Sequence, residues 1–239
     1  MVIAVSDNAI FCGHRYKYYL KTVPGIGDEF RAIIMIMKNY NWNYTQVVYS
    51  TDAYNEDDVM FFRHLAAEAG ICVVASYNFD SDYRMNVLSQ HSTVRPVVLL
   101  LSADKHRDFL VALSVSNTRS RNDFIATATL SNNNEITAGL ESIAHGFISI
   151  DIKYSDLTQF YNDLATRRVN TYMDNPWFEE WFEESFACYV GDNPRGFTTP
   201  CNTAASITSA PGFRRDLRVV HVINAVYAIA HGLNRVLAK

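Results

Sequence analysis

Short apolar runs alternate with longer amphipathic stretches through most of the chain, and the two differ in period. The runs Val2–Val5, Tyr16–Val23, Tyr44–Ser50, Ile71–Ser76, Pro96–Leu101, Phe124–Ala128 and Phe147–Ile152 are nearly continuous, as strands buried on both faces are. Between them Asp28–Tyr40, Glu56–Ala69, Tyr83–Gln90, Lys105–Ser114 and Ile136–Leu140 carry apolar residues at helical spacing. Around Glu56–Ala69, Asn55 is a cap residue, and Glu56, Asp57 and Asp58 put acids in the first turn, where a helix is positive. Met60, Phe61, Leu65 and Ala69 follow, Gly70 stops the helix, and Ile71-Cys72-Val73-Val74 enters the sheet. Repeated β-α-β units of this kind predict a parallel, doubly wound sheet.

After Ile152 the texture changes. Asp156–Arg167, Pro176–Phe186 and Arg214–Leu237 read as helices with no strands between them. In Trp177-Phe178-Glu179-Glu180-Trp181-Phe182-Glu183-Glu184 the spacing predicts a helix that buries Trp177, Phe178 and Trp181 and turns its acids to water. In the last helix Val219, Val222, Val226, Ile229 and Leu233 mark one face for burial. The change implies that the chain leaves one lobe and packs helices onto a second. That second lobe is short of strands, with Val2–Val5 and a neighbour as the candidates, so much of it is expected upstream of Met1.

Composition narrows the function class. At 239 residues, 49% hydrophobic and 19% charged, the chain is globular, and a net charge of -4 with scattered bases argues against nucleic acid. Arg214, Arg215 and Arg218 cluster, as a solvated helix start would. No stretch reaches the roughly 18 apolar residues of a membrane span, and Met1–Val5 lacks the character of a signal peptide. Cys188 and Cys201 flank a loop rich in Gly, Pro, Asn and Thr, a setting for a short disulfide, and Asn43-Tyr44-Thr45 is a glycosylation sequon. The parts of an enzyme are missing. There is no dinucleotide fingerprint, phosphate loop, nucleophile elbow, Cys-x-x-Cys or paired-histidine metal motif. No catalytic residue, metal or cofactor is expected.

Three segments resemble the extracellular domain of metabotropic glutamate receptors, the class C G-protein-coupled receptors. They are Tyr16–Pro24 followed by Tyr40-Asn41-Trp42-Asn43-Tyr44, then Asn175-Pro176-Trp177-Phe178 through Phe186 and Cys188, and finally Val222–Leu233. The resemblance implies α/β architecture of the periplasmic-binding-protein type I clamshell, with the second lobe nearly complete and the first partial. Residues 1–22 would belong to the first lobe, 23–152 would form the parallel second lobe, and 153–239 the helical part of the first. Without the missing strands, Trp177, Trp181 and Val222–Leu233 would expose their apolar faces.

The resemblance also implies a site for a small-molecule ligand, an amino acid or analogue. Ser6 falls on a ligand-contacting hydroxyl position in either of two registers, and Asn8 does so only if the next loop is shortened. Tyr54 matches an aromatic that stacks on the ligand ammonium; the alternative is an aromatic covering the sheet edge. Cys188–Cys201 matches a loop disulfide. Cys72 matches a cysteine that bridges to a cysteine-rich module and is expected unpaired here; a cysteine buried in its strand is the other reading. Ile26 stands where an aspartate is expected, and counting places Leu130 at a second acid position. Each lost carboxylate removes roughly 1.5–3 kcal/mol, so ammonium binding should weaken about two to four orders of magnitude and glutamate should not bind tightly. The parent would act on the extracellular side of the plasma membrane and dimerise there. A soluble binding or decoy protein is the alternative, and a Rossmann-like enzyme a more remote one.

Overall fold

A computed structural model of the chain describes residues 2–4, 19–80, 85–116, 121–131, 134–171, 175–192, 195–216 and 218–238. The chain divides into two compact units, Met1–Lys153 and Tyr154–Lys239.

The first unit is built on five parallel strands: β3 (Tyr44–Tyr49), β4 (Cys72–Asn78), β5 (Pro96–Leu100), β6 (Asp123–Ala126) and β7 (Ile148–Ser149), in the order β4-β3-β5-β6-β7. A separate parallel pair joins β1 (Val2–Ala4) to β2 (Tyr19–Lys21). Strand period decides what each face buries. Val47, Tyr49, Val98, Leu100 and Ile125 point to one side, where they meet Phe30, Ile33 and Met37 of α1 (Ile26–Asn39) and Val59, Phe62 and Ala66 of α2 (Glu56–Glu68). Their neighbours Val48, Val97, Leu99, Phe124 and Ala126 point to the other, against Phe109, Leu110 and Leu113 of α3 (Ala103–Ser114). The result is a sheet covered by helices on both faces, as near-continuous apolar strands require.

Capping moves several helix ends from where the sequence places them. The helix expected from Asp28 starts at Ile26, because the Asp28 carboxylate accepts the Gly25 N–H at 3.2 Å and lies inside the first turn. α3 starts at Ala103, with the Ser102 hydroxyl accepting the Lys105 N–H. A short helix, α4 (Ala128–Ser131), follows β6, and in place of a helix over Ile136–Leu140, α5 (Asn134–Thr137) stops at Thr137 and α6 (Glu141–Ala144) starts beyond Leu140. Gly139 takes φ 75° between the last two, a left-handed conformation that ends α-helical geometry. In place of a helix over Tyr83–Gln90 a 3-10 helix spans Met85–His91, and Tyr83 lies outside the described residues.

The second unit holds α7 (Thr158–Thr166), α8 (Phe178–Phe186) and α9 (Val219–Leu237). A disulfide joins Cys188 to Cys201, and the segments it links also pair through Tyr189 N–H to Thr199 O and Cys201 N–H to Tyr189 O. The tryptophans of α8 depart from the burial that helical spacing predicts and match the exposure expected where the strands of their lobe are missing. Phe178 and Phe182 are buried with Glu183, whereas Trp177 is 71% and Trp181 41% exposed. Glu183 turns inward because its carboxylate accepts the Val190 N–H and an Arg195 guanidinium N–H, both at 2.7 Å. In α9, Val220, His221 and Ala225 are buried, while Val222, Val226, Ile229 and Leu233 are exposed. Arg218 pairs with Asp216 at 2.9 Å immediately before this helix, and Arg215 lies over the Tyr161 ring, so the arginine cluster is used within the unit.

Candidate ligand-binding site

In an open parallel sheet, ligands bind beyond the carboxyl ends of the strands, where the strand order reverses. Here the reversal falls between β3 and β5, because the chain runs from β3 outward to β4 and then returns to β5 on the other side. Ser50, the residue after β3, closes the sheet at that point. Its N–H donates to Leu100 O at 3.0 Å and its hydroxyl oxygen accepts the Ser102 N–H at 3.1 Å.

Three elements converge next to this edge. Tyr54, in the turn before α2, is only 8% exposed, with its ring packed in the α1–α2 core beside Phe30. Burial spends the ring faces on the core and leaves the hydroxyl pointing outward to donate to Glu29 Oε2 at 3.2 Å. The other oxygen of Glu29, in the first turn of α1, accepts the Ala128 N–H just past β6 at 3.0 Å. Glu29, with Pro24, Ala32, Ala128, Ile150 and Asp151 among its neighbours, lines a pocket of about 270 Å³. That volume lies just below the usual range for ligand pockets.

A second polar group lies along the same edge. Asp80 accepts both the backbone N–H and the hydroxyl of Thr51, and Lys105 lies 3.6 Å from its other oxygen. The Thr51 hydrogen bonds, more than Lys105, hold the Asp80 carboxyl below the usual carboxylate range. Burial, with the nearby charges of Glu56 and Asp80, raises the Tyr49 hydroxyl. Beneath this edge His106 is 1% exposed, its Nδ1 3.0 Å from Ser102 O, and burial pushes its imidazole down to about 4.

Of the residues singled out from sequence, Ser6, Asn8 and Cys12 lie outside the described residues. Asn43 is exposed in the turn before β3. Cys72 opens β4 exposed and with a free thiol, in place of the buried strand cysteine that was the other reading. Ile26 packs against the α1–α2 core, and Leu130 is buried on the opposite face of the sheet. Ala128, two residues before Leu130, is the position beyond β6 that meets Glu29. Sequence reading did not find Glu29, because its partners are 25 and 99 residues away along the chain. Its position three residues after Ile26, on the same helix face, was the available signal.

Among the described residues no group of His, Cys, Asp and Glu is placed to hold a metal ion, and no helix is long and apolar enough to cross a membrane. The parallel sheet, the site at its carboxyl edge and the loop disulfide define a receptor-type binding domain: the chain belongs to the receptor family ligand binding region, whose sequence profile matches residues 4–239. It is similar to the metabotropic glutamate receptor of Drosophila melanogaster, with 25% identity over 244 residues, 92% of this chain and 25% of that receptor. The chain therefore spans about a quarter of the length of this relative.

Proposed function

We propose that the chain is the ligand-sensing part of a metabotropic-glutamate-receptor-like receptor and that its ligand is a small amine-bearing molecule, an amino acid or analogue. The observation that carries this reading is the carboxylate-lined pocket at the carboxyl edge of the parallel sheet, in a chain whose family is a receptor ligand binding region. Residues 23–152 would form the second lobe of the family's clamshell, and residues 1–22 and 153–239 would belong to the first. Ser6 and Asn8 are proposed to meet the ligand's carboxylate, and Tyr54 to serve its ammonium end. In the intact receptor, ligand would shift the population toward a closed form by as much as it favours that form. Signalling across the plasma membrane from the extracellular side, and any homodimer, would belong to that parent.

The relative's name specifies glutamate, but the pocket argues for a different preference. Asp28, Glu29 and Asp151 line it against one base, Lys153, a lining that disfavours a second ligand carboxylate. Glutamate should therefore bind weakly and neutral or basic amino acids better. Thermal-shift measurements of the full chain against the common amino acids test this. Stabilisation by at least one neutral or basic amino acid supports the reading. Micromolar binding of glutamate overturns the stated preference, and no response to any amine-bearing amino acid overturns the reading itself.

A further inference from the structure

We propose that Asn43 carries an N-linked oligosaccharide, attached before β3 pairs with β5 and seated on the Tyr40–Trp42 ring pair. The inference rests on the extracellular side proposed above, because such transfer takes place on chains entering the secretory route, and it does not depend on the ligand.

Asn43-Tyr44-Thr45 is the one Asn-x-Ser/Thr tripeptide in the chain. Such a tripeptide alone says little, but three features of the structure turn it into a site. The first is its place in the fold. Asn43 is exposed, in the turn between α1 and β3, at the amino edge of the sheet. The turn is tied to the end of α1, where the Asn41 N–H donates to Lys38 O at 3.0 Å and the Trp42 N–H to Met37 O at 2.9 Å, with Asn41 in a left-handed φ of 56°. The length of β3, about 20 Å, separates the acceptor from the pocket at the carboxyl edge. A bulky, hydrated sugar at Asn43 therefore stands clear of the core and of the pocket.

The second feature is an exposed aromatic pair on the same turn. The Tyr40 and Trp42 rings stack with centroids 4.9 Å apart, and Tyr40 is 55% exposed. Apolar ring surface left in water is costly, and the C–H face of a pyranose is the kind of group that covers it. Asn43 follows Trp42 directly, so the first sugars begin beside that surface.

The third feature, Thr45, sets the timing. Its hydroxyl must be free for the transferring enzyme to recognise the tripeptide. In the folded chain Thr45 is fully buried, and its hydroxyl donates to Pro96 O at 3.2 Å and Gln46 O at 3.0 Å. Pro96 opens β5, 51 residues downstream, so the hydroxyl is accessible only until β5 has been made and paired. The transfer is a displacement at the anomeric carbon of the first sugar. Asn43 Nδ2 bonds to that carbon as its bond to a lipid diphosphate breaks; the amide gives up one proton and the diphosphate leaves with the bonding pair.

The test translates the full chain behind a cleavable leader with endoplasmic-reticulum microsomes, a readout that requires no folding. Protease-protected chain should migrate as one larger species that peptide N-glycosidase returns to its starting size. Release in heavy-oxygen water should place the mass label at Asn43. Asn43→Gln and Thr45→Val should abolish the shift, and Thr45→Ser should keep it. Chain that has folded before solubilised membranes and lipid-linked donor are added should stay unmodified, while a peptide of residues 40–48 is modified in the same mixture. In hydroxyl-radical footprinting, Tyr40 and Trp42 should be oxidised several-fold less with the sugar present than after its release. A protease-protected wild-type chain with no sugar at Asn43 overturns the inference and leaves the receptor reading intact. Equal modification of the folded chain overturns the timing, and unchanged footprints overturn the seat on the ring pair. A thermal-shift panel with no response to any amino acid overturns the proposed function and leaves the modification standing.

Discussion

His106 makes the stability of the first unit depend on pH in a way that can be worked out. The side chain lies 1% exposed on α3, with Nδ1 against Ser102 O, and burial holds its pKa at about 4 against 6.5 in the unfolded chain. Well above pH 6.5 neither state is protonated and the residue adds no pH dependence. As pH falls below 6.5 the unfolded chain binds a proton that the folded chain refuses, so folding free energy declines. The loss accumulates down to about pH 4, below which both states are protonated. At 1.36 kcal/mol per unit the full effect is about 3 kcal/mol, a large share of the roughly 5–15 kcal/mol that stabilises a domain. Urea denaturation followed by circular dichroism at half-unit steps from pH 7.5 to 4 measures it. His106→Gln keeps an amide donor without a titrating group and should flatten the curve between pH 6.5 and 4. Asp80 and Asp216, both depressed by hydrogen bonds, lose their contributions only below that window, and Asp58, raised by burial, is common to wild type and variant and cancels in the comparison. Equal slopes in wild type and variant would refute the reasoning.

Other consequences follow from the second unit. Reducing Cys188–Cys201, or replacing both by Ser, opens a loop with a sequence separation of 13 and should cost about 3 kcal/mol in thermal or urea unfolding. Glu183→Ala strips the Val190 N–H and Arg195 of a buried carboxylate. It should cost about 2–3 kcal/mol, and Glu183→Gln less, since one acceptor remains. The exposed α9 positions Val226, Ile229 and Leu233 form an apolar face that favours association. Sedimentation should show self-association that Val226→Glu with Leu233→Glu removes at unchanged helicity; a wild-type chain that stays monodisperse across concentrations would contradict this.

What the sequence made legible follows from locality. The five parallel strands and α1–α3 announce themselves through apolar period, caps and Gly70, all of which act within a few residues. The helix ends moved where a side chain folds back on its own backbone, as Asp28 does on Gly25. Helical spacing marked the α8 tryptophans as an apolar face without saying what covers it, so they stay exposed as the missing strands imply, and the inward turn of Glu183 depends on Arg195 across a loop. The site divides in the same way. Tyr54 was visible as a residue type in a motif, whereas its partner Glu29 became visible only when β3, β6 and the start of α1 were brought together by the fold.

The most direct test of the account as a whole is hydrogen exchange on the full chain, with and without the amino acid that stabilises it best in the thermal-shift panel. Ligand binding at the carboxyl edge predicts added protection at Glu29, Ser50–Tyr54, Ser102 and Thr127–Ala128, with the opposite edge of the sheet unchanged. Protection confined to the opposite edge, or to the helices of the second unit, would contradict it.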